Sequence, residues 1–159
     1  MSVSAADKES AEIEEQLVAF HLGSEIYAIE INLISEIIRL QAVTQVPRTR
    51  DDIEGIINLR GKIVPVLDLC KRLALSESQS SSKSRIIVVN AAGFLVGLIV
   101  DSVVGVVRLP DSAIERKVVT SGSLDSDYIL GVGKYQESLV ILLNLNALLQ
   151  PEHDAAIAA

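Results

Sequence analysis

Two stretches of this chain repeat each other without a gap, AIEINLISEIIRL at 28–40 and GLIVDSVVGVVRL at 97–109. Their apolar positions agree, and Arg39-Leu40 falls on Arg108-Leu109. A second pair, GIINLRGKIVPVLDL at 55–69 and GVGKYQESLVILLNL at 131–145, matches glycine to glycine, Val64 to Val140 and Leu69 to Leu145. Leu73 and Leu149 carry the match into the trailing segments. A pattern recurring at this coarse period implies two related subdomains. Each half reads as about five short strands with closely spaced turn signals, which argues for a pair of small closed barrels because closure removes exposed strand edges. The Ser-rich SESQSSSKS at 76–84 lies between the halves and reads as a flexible loop.

The composition agrees with a strand-rich fold. Of the 159 residues 49% are hydrophobic, while aromatics make up 3% and Trp is absent, so the core is aliphatic. A chain rich in Ile and Val favours strands over helices. The 21 acidic residues outnumber 14 basic ones, giving a formal charge of -7. That charge repels phosphate backbones, and few aromatics remain to stack bases, so nucleic-acid binding is not expected. The single cysteine, Cys70, cannot form an internal disulfide and points to a reducing compartment. Residues 1–16 contain no apolar signal-peptide core. The longest apolar run, Phe94–Val107, is broken by Gly97, Asp101, Ser102 and Gly105 and is too short to span a membrane. A cytoplasmic protein is expected.

Along the chain, 1–16 reads as a mobile tail and 151–159 as a second one. Between them, 17–150 divides into subdomains at roughly 17–75 and 85–150. Leu17–Leu22 and Ile26–Ile31 are strand-like around a Gly23-Ser24 turn. Leu33, Ile34, Ile37 and Ile38 fall at helical spacing, which predicts a short helix over Leu33–Ile38 capped by Asn32. Ala42–Val46 reads as extended and Thr49–Asp52 as a capped helical turn. Pro65 is expected at a sheet edge or barrel corner. Asp68 is placed to cap a helix over Leu69–Leu75. Arg60-Gly61, between IIN-L and KIVPVLDL, marks a hairpin whose turn lifts the guanidinium onto a rigid tip. In the second half this pair becomes Gln136-Glu137, so similar scaffolds carry unlike surfaces.

No catalytic constellation emerges. His21 reads as a solvated strand residue and His153 lies in the C-terminal tail; with one cysteine they cannot assemble a zinc site. Asp68 fits a helix cap and Asp101 a turn. Asp51-Asp52-Ile53-Glu54 places acids on a surface turn with no apolar pocket to raise a pKa. Gly131-Val132-Gly133-Lys134 lacks the spacing of a phosphate loop. Arg60 has two readings, a solvated tip or an ion pair with Glu36 on the predicted helix at the edge of an apolar groove.

From about Gln16 to Leu149 the chain resembles the CheW-type chemotaxis coupling proteins. The residues that carry the resemblance are GSEIYAIEI, the Glu36-Ile37 segment, VP…I-GIINLRGKIVPVLDL, GLIVDSVVGVVRL and YILGVGKYQESLVILLNLNALL. The resemblance implies two intertwined SH3-like five-stranded barrels and a scaffold without catalysis, metal or cofactor. It implies two partners, the cytoplasmic tip of methyl-accepting chemoreceptors and the regulatory domain of the CheA histidine kinase. The receptor tip is expected in an apolar groove between the barrels, at Ile34, Glu36, Gly55, Asn58, Arg60, Gly61 and Val103. The kinase contact is expected in Glu115–Ser126, on Glu115, Arg116, Lys117 and Ser121. A pilus or developmental pathway of the same family fits the residues equally well. A small-molecule-binding barrel would need a polar pocket that the sequence does not supply.

Overall fold

The computed structural model describes residues 14–47, 52–75, 80–91, 93–116 and 128–149. The first half forms strands β1 (Glu14–Leu22), β2 (Glu25–Glu30), β3 (Ile34–Arg39), β4 (Ile53–Leu59) and β5 (Lys62–Asp68), then helix α1 (Leu69–Arg72). The second half forms β6 (Arg85–Ala91), β7 (Phe94–Val100), β8 (Ser102–Pro110), β9 (Ile114–Arg116), β10 (Ile129–Tyr135), β11 (Ser138–Leu143) and helix α2 (Leu145–Leu148). β1 begins at Glu14, so Glu14–Gln16 belong to a strand and not to the expected tail.

The two sheets are not the two halves of the sequence. One sheet runs β8-β1-β2-β11-β10-β9, the other β3-β6-β7-β5-β4. The first half gives β1 and β2 to one sheet and β3, β4 and β5 to the other; the second half does the converse. The two interlocked SH3-like five-stranded barrels that were expected therefore do not follow the bounds 17–75 and 85–150: each takes strands from both halves, with β9 added to the first. The halves join at the parallel pairs β2–β11 and β5–β7 and at the antiparallel pairs β1–β8 and β3–β6. Similarity between halves cannot distinguish side-by-side barrels from exchanged strands, because both satisfy the same internal pattern.

Each barrel has its own interior, and a third core lies between them. Leu17, Ala19, Ala28, Val107, Leu109, Val140 and Leu142 fill the first barrel. Ile57, Leu59, Val64, Val66, Ile86 and Val88 fill the second. The shared core takes Phe20 and Leu22 from β1, Ile87 and Val89 from β6, and Leu69, Cys70, Leu145 and Leu148 from the helices. Strand alternation explains the split, since successive side chains of β1 enter opposite cores. His21 is half-buried, less solvated than its face predicted.

The repeat extends to hydrogen bonds. Asp68 caps α1, accepting from the N–H groups of Cys70 at 3.0 Å and Lys71 at 3.3 Å. Asn144, its counterpart, caps α2 by accepting from Ala147 at 3.2 Å. The N–H of Asp68 donates to the carbonyl of Asp52 and that of Asn144 to the carbonyl of Tyr128, both at 2.8 Å. Those matched acceptors flank one side chain. Arg72 pairs with Asp52 at 3.1 Å, lies 5.8 Å over the Tyr128 ring, and donates to the carbonyl of Leu148. Asp52 is thus not on a surface turn, since its side chain is 13% exposed and that of Arg72 is 5% exposed.

Three other expectations change. The segment read as a helix over Leu33–Ile38 is a 3-10 turn at Ile31–Leu33 followed by strand β3. Pro65 lies in β5, between β4 and β7 and not at an edge; the parallel ladder to β7 begins at the next residue, Val66. Within Ala42–Val46 one residue pairs, Thr44 with Ile56. The turn read at Thr49 and the acid Asp51 lie outside the described residues, as do 1–13 and 151–159 of the tails.

Interleaving has a direct consequence. A protease site placed between Glu77 and Ser78 should yield a cut chain that elutes as one species and melts in one transition. Separation of the pieces in native buffer would contradict the exchanged-strand topology.

Candidate functional site

The hairpin β4–β5 turns at Arg60-Gly61, where both residues take positive φ, 51° and 87°. Paired positive φ is the backbone of the tight turn that matches strand twist, and Gly61 adopts it without a side-chain penalty. The amide oxygen of Asn58 accepts the N–H of Gly61 at 2.9 Å. Asn58 therefore shapes the turn. Gly55 also has a local role, because its bare backbone admits the carbonyl of Thr44 against β4.

Glu36 reaches the tip from β3. One guanidinium nitrogen of Arg60 donates to its Oε1 at 3.2 Å and the other pairs with its Oε2. β3 and the β4–β5 hairpin are opposite ends of the strand order, so this contact requires the sheet to roll on itself. A register shift between Ile34 and Glu36 aims the carboxylate. Ile34 opposes Val89 of the shared core, whereas Glu36 opposes Val88 of the second barrel. Residues two apart would otherwise share a face. Arg60 remains 72% exposed while Glu36 is 24% exposed, so the pair presents a cation held by a sheltered carboxylate. The hydrogen bond to Glu36, then its charge, lift the guanidinium pKa above its ordinary value.

Val103 and Ile34 both pack against the shared core, Val103 opposite Phe20. Sequence reasoning did not single out three exposed apolar side chains, Ile37 on β3 and Val104 and Val106 on β8. The structure thus brings Glu36 and Arg60 into contact, sets Ile34 and Val103 on the same core, and gives Asn58, Gly55 and Gly61 to backbone geometry. Of the expected kinase contacts, Glu115 and Arg116 are exposed on the edge strand β9. Arg116 pairs within the chain, with Glu15 at 3.0 Å and Asp111 at 3.1 Å. Lys117 and Ser121 lie outside the described residues.

Comparison with known families matches residues 16–153 to the CheW-like domain. The chain belongs to the CheW family. It is 34% identical over 146 residues to the chemotaxis protein CheW of Bacillus subtilis, covering 90% of this chain and 93% of that protein. The CheW of Klebsiella aerogenes is 32% identical over 91% of this chain and 87% of its own length. Protein FrzA of Myxococcus xanthus is 28% identical over 91% of each chain. Among solved structures, the scaffolding protein TtCheW from Thermoanaerobacter tengcongensis superposes with a TM-score of 0.81 at 36% identity, covering 89% of this chain and 96% of its own.

As a CheW protein the chain is a chemotaxis coupling scaffold and not an enzyme, and its side chains agree with that role. The Cys70 thiol is buried, and desolvation, then the charges of Asp101 and Asp68, push its pKa up to about 12. That removes the thiolate a nucleophile needs. Asp101 accepts the N–H of Gly23 at 2.7 Å, serving a corner as the sequence predicted. No helix among the described residues is long and apolar enough to cross a membrane.

Proposed function

We propose that the Arg60–Glu36 pair, with Ile34 and Val103 beside it, is the contact for the cytoplasmic tip of a methyl-accepting chemoreceptor. The observation that carries this reading is the exposed guanidinium of Arg60, held by the sheltered carboxylate of Glu36. An exposed ion pair contributes little to stability. Its geometric constraint is better spent on recognition, where charge placement governs specificity and encounter. A second contact, toward the regulatory domain of the CheA kinase, is assigned to the β9 edge at Glu115 and Arg116 and to the following Lys117 and Ser121. Bridging receptor and kinase places the protein at the inner face of receptor arrays.

Arg60→Glu sets like charges beside Glu36 at an exposed tip. It should keep the thermal midpoint within a few degrees while receptor affinity falls at least about tenfold. Adding Glu36→Arg reverses the pair and should restore part of the binding. Titrations against a receptor fragment and the kinase regulatory domain test both contacts on one variant set. Substitutions at Glu115 and Lys117 should weaken kinase binding and leave receptor affinity unchanged. Unchanged receptor binding by Arg60→Glu, or parallel loss of both partners by every variant, would remove the two-contact assignment.

A further inference from the structure

The face of β3 that turns toward the shared core ends in charge. Ile34 stands opposite Val89 of β6, Ile37 opposite Ile87, and Arg39 opposite Arg85. Val89 and Ile87 are fully buried, Ile37 is exposed, and Arg39 is exposed beside a half-buried Arg85. The apolar strip that begins at Ile34 thus runs out at two guanidinium groups. Exposed Lys83, in the turn that leads into β6, adds a third cation.

Residues directly opposite on an antiparallel pair bring their side chains close together, and like charges there destabilise the ladder. The fold does not demand this arrangement. Arg39 matches Arg108 in the internal repeat, and on the other barrel Arg108 stands opposite Gln16, which carries no charge. Nor does a general excess of cations explain it, since the formal charge is -7.

The two charges are not neutralised within the chain. Among the described residues neither Arg39 nor Arg85 has an ion-pair partner. Asp101 follows Val100, the residue that faces Arg85 from β7, but its carboxylate accepts the N–H of Gly23 at 2.7 Å. Arg85 is held in place, one guanidinium nitrogen donating to the carbonyls of Ser82 at 2.9 Å and Ser84 at 2.8 Å. It cannot swing away from Arg39 without losing both bonds.

We propose that Arg39 and Arg85 recognise carboxylates on an acidic segment of the receptor, which continues its contact along β3 past Ile34 and Ile37. The assignment rests on the receptor reading given above and adds the chemistry of the partner. Planar guanidinium groups take carboxylates through paired N–H bonds. A carboxylate shared by the two arginines also relieves the repulsion that the unbound protein carries. At about 3.3 Å per residue, the acid lies roughly 15 Å along the strand from the group that covers Ile34. The negative charge of the whole protein repels long polyanions, so a short acidic segment fits the site better than nucleic acid does.

Calorimetric titration with the cytoplasmic fragment of a chemoreceptor from the same organism tests the site, at low salt and at about 1 M. Thermal midpoints are measured for each variant. Arg39→Gln copies the neutral pairing of the other barrel. It should raise the midpoint by about 1–3 °C through lost repulsion, yet weaken receptor binding about threefold. Arg39→Glu places an acid opposite Arg85, so it should also gain stability while binding falls at least about tenfold. Both losses should shrink at about 1 M salt, where the screening length is about 3 Å. An arginine that served only the fold would not give stability and binding that move in opposite directions. A lowered midpoint for Arg39→Gln overturns the proposal. So does unchanged affinity in both Arg39 variants; if Arg60→Glu still loses the receptor, the acidic contact alone is removed. Normal binding by Arg60→Glu removes the receptor reading, and this site with it.

Discussion

Arg72→Ala is expected to lower the unfolding free energy by about 3–5 kcal/mol, the scale for removing one partner of a buried ion pair. Arg72 closes α1 in the first half, and beside Asp52 it touches the second half at the Tyr128 ring and the Leu148 carbonyl. Truncation leaves the carboxylate of Asp52, 13% exposed, without the guanidinium at 3.1 Å. Since whole domains are stable by only about 5–15 kcal/mol, the change spends a large part of the total. The control is Arg72→Met with Asp52→Leu, which removes both charges and keeps apolar volume. Replacing a buried pair by packed hydrophobes is often close to neutral. The double variant should therefore recover most of the loss in urea unfolding. Equal instability of both variants would mean that packing around the helices, and not the charge pair, accounts for the effect.

The same cluster shows where the sequence could and could not be read. The repeat made the fold class legible, and matched positions proved equivalent down to single hydrogen bonds, as for Asp68 and Asn144. The exchange of strands was not legible in the repeat itself; only the family resemblance implied intertwined barrels. Nothing in the alternation of β2 or β3 records which sheet each will join, because either neighbour buries the same face. Arg72 was overlooked for a related reason. It follows the central motif as an ordinary helix-end cation, and its partners stand 20, 56 and 76 positions away.

The β3 segment was misread by periodicity itself. Ile34, Ile37 and Ile38 carry the spacing of a helix face because a bulge between Ile34 and Glu36 inserts one residue into a period of two. Strand preference of isoleucine and pairing with β6 prevail over that apparent period. The Glu36–Arg60 contact survived the error, since it depended on a carboxylate near the hairpin tip and not on the element carrying it. The exposed valines Val104 and Val106 had a signal that went unused. β8 reads SVVGVVRLP, with exposed residues alternating around Gly105.

Gly55→Ala should prove nearly as costly as the loss of Arg72, about 2–5 kcal/mol from backbone strain and overpacking together. Gly55 has a φ of 147°, and a Cβ there would run into the carbonyl oxygen of Thr44 and lie 2.8 Å from Cγ1 of Val43. The obstruction is backbone, fixed by the paired hydrogen bonds between Thr44 and Ile56 at 2.8 and 2.9 Å, so no side chain can swing aside. Gly131, its match in the other barrel, is the internal control. There a Cβ would come within 2.8 Å of the Glu115 carbonyl and 3.1 Å of Ile114, with no positive φ to strain. Gly131→Ala should cost less, by the strain that only Gly55 carries. Urea titrations of the two variants, run beside receptor titrations, separate scaffold from contact. If Gly55 serves the backbone, receptor affinity per folded molecule will be unchanged, and binding will fall only as the folded fraction falls. A stable Gly55→Ala protein that no longer binds receptor would instead make this glycine part of the recognition surface.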